Sequence, residues 1–286
     1  MVKKGDIVGR ISYGNDVLFK VIDVRKDNGK HLAEIKGLDL RLLADAPVED
    51  LQVKNDDEIE KYRKPLNSQC VGCKKNIFRR RKRDMQKSLS RMNEQNNDSF
   101  FEVPGRVLHI DGDAEYLEKC METYKELNIR ARGEVVAEQD QPKRVSKLLL
   151  EDPVDIVVLT GHDGILKGKK DLTSLDSYRN SRYFVEAVRA ARRIEPSRDD
   201  LVVFAGACQS HYEAILGAGA NFASSPLRVL IHAFDPVFIV EKVAFSSIND
   251  KLSIQDVIVN TITGTDGVGG IETRGRHRLG YPKSPY

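Results

Sequence analysis

Cys208 and His162 are the residues whose types and surroundings could do chemistry. Each follows a compact apolar run. Leu201-Val-Val-Phe-Ala205 leads through Gly206-Ala207 into Cys208. Asp155-Ile-Val-Val-Leu-Thr160 leads through Gly161 into His162. Such runs, bounded by charge before and glycine after, read as buried parallel strands. Open α/β sheets place their active sites just past the carboxyl ends of such strands. A thiol with a nearby imidazole is the minimum for nucleophilic catalysis by cysteine, because the base raises the thiolate fraction. A single Cys at a strand end is commonly core; the matched pair of strand ends favours catalysis.

Other groups compete for roles. His211 lies three residues past Cys208 and is a rival base. His232 and Glu213 are lesser candidates, and Glu213 could serve only to orient a partner. His109 lies inside a strand and reads as a core histidine, as Cys120 reads as a core cysteine on a helical apolar face. The backbone N–H of Cys208 and one from Asp163-Gly164 would hold an oxyanion. Cys70-Val-Gly-Cys73 resembles half a zinc site, but no second Cys pair or closely spaced His pair completes four ligands. No metal and no cofactor are expected.

The elements that must position these residues follow an alternating pattern. Arg106–Ile110 is a strand, Tyr116–Leu127 recurs at helical spacing, Ile129–Val136 is a strand, and Val145–Leu149 marks a helix. The His strand follows. Phe184, Ala187, Val188, Ala191 and Ile194 form an amphipathic helix before the Cys strand. A short helix over Tyr212–Leu216, a fifth strand over Arg228–Ala233 and a helix from Ser253 complete the pattern. The glycine-rich tail from Gly264 reads as a mobile loop. The expected fold class is α/β, a parallel-dominated sheet with helices on both faces.

Residues 1–52 read as a separate small β module, an SH3-like barrel, with Asn28-Gly29 as a hairpin turn. Residues 53–101 are a charged segment, either a linker or an exposed helix, with a basic run at Arg79–Arg83. Residues 102–286 form the catalytic domain. The 286-residue chain can bury a real core, and 31% of it is charged, with a net charge of +3. That charge is too weak to argue for nucleic acid, although a scaffold or nucleic-acid-binding protein using the β module and basic run is the alternative reading. Four cysteines form no small-scaffold disulfide framework, which fits a reducing compartment. No signal peptide or membrane span is visible. The sequence leaves the oligomeric state open.

Gly206-Ala207-Cys208-Gln209 and Thr160-Gly161-His162 resemble the caspase-like cysteine peptidase clan, which includes gingipains, clostripain and caspases. His162 precedes Cys208 by 46 residues, close to the spacing of roughly 50 in caspases. Lys3-Lys-Gly-Asp-Ile-Val-Gly-Arg10, Leu159–Gly164, Phe204–Ser210 and Gly270-Ile-Glu-Thr-Arg-Gly275 extend the likeness over the whole chain to a family of sporulation-specific proteases of spore-forming Firmicutes. The resemblance implies a caspase-like fold and an endopeptidase that cleaves after basic residues, chiefly Arg. It implies spore coat and cortex-associated proteins as substrates, and action in the mother-cell cytoplasm or the assembling coat. In the wider clan His is followed directly by Gly; here Asp163 intervenes, which puts the second oxyanion donor in doubt.

Two expectations follow from a preference for Arg. Its buried side chain needs an opposing carboxylate. Asp235, in the turn Phe234-Asp235-Pro236 off the end of the expected fifth strand, meets this condition, with Asp163 as runner-up. The basic segment should also be cut by the enzyme itself, at Arg79, Arg80, Arg81, Arg83 or Arg91.

Overall fold

The computed structural model describes residues 2–27, 29–90 and 100–284. The chain divides into two units, Met1–Val71 and Gly72–Tyr286, so the division falls within the charged segment.

The first unit is a five-stranded antiparallel sheet: β1 (Ile7–Arg10), β2 (Leu18–Asp27), β3 (Lys30–Gly37), β4 (Leu43–Pro47) and β5 (Leu51–Val53). Their order is β4-β3-β2-β1-β5. The expected small β module is thus an antiparallel sheet, with no closed barrel among the described residues. Val8, Phe19, Val21, Ala33, Ile35, Ala46 and Leu51 alternate onto one face and form its core. Asn28 of the expected hairpin turn lies outside the described residues.

The charged segment is helical. Helix α1 runs from Asp56 to Ser90. Asn55 starts it: its side chain accepts from Glu58 N at 2.9 Å, and Glu58 Oε2 accepts from Asn55 N at 3.0 Å. This reciprocal cap satisfies two orphan donors. Asp56, Asp57 and Glu58 in the first turn complement the helix dipole.

The second unit continues from the last turns of α1. It contains β6 (Phe101–Val103), β7 (Val107–Asp111), α2 (Ala114–Glu126), β8 (Ala131–Val135), α3 (Gln141–Glu151), β9 (Ile156–Thr160), α4 (Ser181–Ile194), β10 (Val202–Ala205) and α5 (Tyr212–Gly217). Then follow β11 (Phe222–Ser224), α6 (Asp235–Ala244), β12 (Lys251–Leu252), α7 (Ile254–Ile258), β13 (Val268–Gly270), β14 (Thr273–Arg274) and β15 (Arg278–Gly280). The main sheet has the order β13-β11-β10-β9-β7-β8. Its pairs are parallel except β11 with β13. Helices α3, α4 and α5 pack on one face, and α2 and α6 lie on the other. Short pairs β12–β14 and β6–β15 finish the unit.

Three expectations change. Residues 228–233 are not a strand; the fifth parallel strand is Phe222–Ser224. Ser225 and Arg228 have φ of 64° and 58°, a left-handed backbone that cannot continue a strand. Asp235-Pro236 opens a helix instead of a simple turn, with Pro in the first turn where its missing N–H costs nothing. The tail is structured, since Val268–Gly270 pairs with β11. Gly270 allows this, because a Cβ there would overlap the Asn221 carbonyl and Phe222.

Candidate active site

The carboxyl ends of β7, β9 and β10 meet at one edge of the sheet. The chain goes from β7 outward to β8, then returns across to β9, which makes the gap between β7 and β9 the topological switch point. Leu159 of β9 pairs with Ala205 of β10. His162 and Cys208 each lie three residues beyond that pair, at equivalent positions on neighbouring strands.

His162 is held by the loops around it. Its backbone N donates to Glu138 Oε1 at 2.7 Å, and Nδ1 lies 3.7 Å from the same oxygen. Nε2 faces Asp113 Oδ2 at 3.5 Å, and the ring packs against Tyr116 with centroids 5.7 Å apart. Its carbonyl accepts from Asn180 Nδ2 at 2.8 Å. Burial raises the Glu138 pKa, but the side-chain and backbone hydrogen bonds from His162 outweigh it, and the net shift is downward. Glu138 therefore sits charged beside the imidazole. Gly161 makes room for it, since a Cβ at this position would overlap the Glu138 carboxylate.

Cys208 is fully buried. Its Sγ accepts from Ile231 N at 3.2 Å. The turn that carries it is bent by left-handed residues on either side, Gly206 at φ 111° and Gln209 at φ 56°. Gln209 N donates to Val229 O at 3.1 Å and to Ser225 Oγ at 2.9 Å. The segment 225–231 thus lies over the thiol.

Asp163 ties the two loops together. It is 2% exposed. Its carboxylate accepts from Gly164 N at 2.9 Å, Asn180 N at 2.8 Å, Ser210 Oγ at 2.9 Å and the Ser181 hydroxyl. Burial pushes its pKa up against these bonds. The Gly164 N–H is thereby committed to Asp163.

The remaining candidates are placed as follows. His211 caps α5 and does not share a helix with Cys208. Its Nδ1 accepts from Ala214 N at 3.4 Å. Its Nε2 is 2.9 Å from Thr173 O, which can only accept, so Nε2 carries the proton. His232 Nδ1 accepts from Phe234 N at 3.1 Å. His109 is buried between Tyr124 OH at 3.1 Å and Thr160 Oγ1 at 2.7 Å. Cys120 is buried and donates to Ala233 O at 3.4 Å.

Asp235 is fully buried. Oδ1 accepts from Ile262 N at 2.6 Å, and Oδ2 accepts from His232 N at 3.2 Å and from the Thr263 hydroxyl. Burial raises its pKa to about 6 against those bonds. Both oxygens accept from the chain itself, pinning the start of α6 to the loop at 262–263. Glu213 is the contrasting acid: its side chain is 63% exposed, and it pairs with Arg228 at 2.5 Å.

The basic run lies on α1. Arg80 and Arg81 both reach Glu241, a fully buried carboxylate on α6, at 2.7 and 2.6 Å. Arg81 also donates to Leu127 O at 2.7 Å and covers the Phe245 ring. These two guanidinium groups are occupied by the protein itself, so they do not read as a phosphate-binding face. Arg91 lies outside the described residues. Cys70 and Cys73 also lie on α1. Among the described residues no group of three or more His, Cys, Asp or Glu could hold a metal ion, and no helix is long and apolar enough to cross a membrane.

Glu138 and Asp113 were not evident in the sequence. A signal existed for Asp113, which caps α2 by accepting from Tyr116 N at 3.0 Å just beyond β7. None existed for Glu138, which opens a single 3-10 turn, Glu138–Asp140, after β8.

Comparison with known proteins places this α/β chain among the proteases. The family model described as YabG peptidase U57 matches residues 3–282. The sporulation-specific protease YabG of Bacillus subtilis (strain 168) is 41% identical over 283 residues, covering 97% of each chain. The chain belongs to the YabG peptidase U57 family, and so is a protease acting in sporulation.

Proposed function

We propose that the chain is a cysteine endopeptidase working with a Cys208–His162 dyad. The matched positions of the two residues beyond the Leu159–Ala205 pair support this reading most directly. His162 takes the Cys208 thiol proton, and Sγ attacks the scissile carbonyl, forming a C–S bond and a tetrahedral oxyanion. The backbone N–H of Cys208 and that of Asp163 receive the oxyanion; Asp163 N–H is preferred over Gly164 N–H because the latter already donates to the Asp163 carboxylate. The C–N bond then breaks, and His162 gives a proton to the departing amine. Water attacks the thioester, His162 takes its proton, and the thiol is regenerated. Glu138 and Asp113 orient the imidazole from its two nitrogens.

The substrates in this proposal are spore coat and cortex-associated proteins, cut after basic residues, with activity in the mother-cell cytoplasm and the assembling coat. Self-cleavage in the basic part of α1 belongs to the same reading. Peptidases take extended chains, so cutting at Arg79, Arg80, Arg81 or Arg83 requires local unwinding of α1. Arg91 lies outside the described residues.

The test is hydrolysis of fluorogenic peptides that differ only in the residue before the scissile bond. The wild type should favour Arg, and Cys208→Ala and His162→Ala should each lose cleavage. Full activity in both variants would overturn the dyad.

A further inference from the structure

We infer that Glu213, Tyr178 and the carbonyls of Ser225 and Pro226 form the guanidinium-reading site of this peptidase, filled by Arg228 in place of a substrate arginine. This deepens the proposed cleavage after basic residues and rests on that reading.

The cluster holds one guanidinium from several sides. Arg228 Nη2 donates to Glu213 Oε2 at 2.5 Å, and Nε donates to Tyr178 OH at 2.7 Å. Nη1 donates to the carbonyls of Ser225 and Pro226, each at 3.3 Å. The guanidinium carbon lies 5.6 Å from the Tyr178 ring centroid. A carboxylate, an aromatic ring and convergent carbonyls are the groups that recognise a guanidinium and reject a neutral side chain. Arg228 reaches them from a backbone at φ 58°, an uncommon conformation for a non-glycine residue.

Each wall of the site joins the catalytic edge. Glu213 lies in the first turn of α5, directly after the turn that bears Cys208. Ser225 Oγ accepts from Gln209 N, the residue after the thiol. Tyr178 bridges to Ile165 in the loop that follows His162. The other acids expected to read the substrate, Asp235 and Asp163, are buried and fully engaged with the chain.

The same segment that presents Arg228 also reaches the Cys208 turn, through Val229 O on Gln209 N and Ile231 N on the thiol. Releasing the guanidinium and uncovering Cys208 are therefore motions of one stretch of chain. A substrate arginine entering the cluster replaces one guanidinium with another, so Glu213 regains a cationic partner at the end of the exchange. A neutral side chain offers no such replacement.

Agmatine, a small guanidinium compound, is the probe, titrated calorimetrically into the full chain carrying Cys208→Ala. Adding Arg228→Ala should tighten agmatine binding about tenfold or more, because the resident competitor is gone. Adding Glu213→Gln to that variant should weaken it by a similar factor of about ten. Arg228→Gln, which keeps a polar side chain on the loop, provides a second opening variant should Arg228→Ala unfold. Agmatine affinity indifferent to both Arg228 and Glu213 would overturn the assignment, even with Arg-directed cleavage intact. Agmatine binding that follows these residues, with a wild type that cleaves no better after Arg than after neutral residues, would uphold the guanidinium site and sink the proposed cleavage after basic residues.

Discussion

The Ser210 hydroxyl donates a 2.9 Å hydrogen bond to the Asp163 carboxylate, joining the Cys208 loop to the His162 loop. Asp163 also takes donors from Asn180 and Ser181. Removing it leaves several buried donors unmatched. Asp163→Ala should cost about 3 kcal/mol or more in stability, measured by urea denaturation, and should lower activity through displacement of His162. A variant as stable as the wild type would mean that this carboxylate does not hold the loops.

Asp235 gives a pH signature. Its pKa is near 4 in the unfolded chain and about 6 in the folded one. Between these values the folded state binds more protons, so stability falls as pH rises from about 4 to about 6. The contribution is complete below the lower value and lost above the upper one. The loss is about 3 kcal/mol. Plotting the stability difference between wild type and Asp235→Asn against pH should reveal this slope. A flat difference would remove Asp235 from the pH response.

Glu138 and Asp113 should act on turnover more than on binding, since they approach His162 from opposite ring nitrogens. Glu138→Gln keeps a hydrogen-bond acceptor but loses the charge beside the imidazole. It should lower kcat about tenfold or more with KM little changed. An effect confined to KM would place Glu138 in substrate binding instead.

Glu241 lies buried between Arg80 and Arg81. Glu241→Ala would leave two guanidinium groups without their shared anion, a change worth about 3–5 kcal/mol when such a pair is broken. The end of α1 should then loosen from α6. Limited proteolysis with trypsin should cut the 79–83 stretch faster in Glu241→Ala than in wild type. Equal rates would show that other contacts dock the helix.

The site was legible where local pattern decided structure. The Val-rich runs before Gly161 and Gly206 could only be buried strands, and they brought His162 and Cys208 to one edge. The strand Phe222–Ser224 escaped notice because three residues carry no period, whereas the longer apolar run after Arg228 mimicked a strand that its left-handed backbone forbids. Helix α6 was hidden by reading Asp235-Pro236 as a turn, although proline suits a first helical turn equally well. Glu138 was invisible for a different reason. Its role depends on the space left by Gly161 in a strand loop far along the chain, which no local pattern encodes.

The docking of the basic turn of α1 sets the kinetic order of any self-processing. Arg81 bonds to Leu127 O, just before β8, at the edge where the strands begin. Cys208 and His162 lie at the edge where they end, and five-residue strands separate these edges by about 16 Å. A molecule cannot carry its own helix across that span while α1 remains docked. For the proposed self-cleavage at Arg79, Arg80, Arg81 or Arg83, the cut would then come from a second molecule, with a rate that rises as the square of protein concentration. Dilute enzyme would stay whole, while enzyme crowded into an assembling layer would mature quickly, so local density would act as the clock.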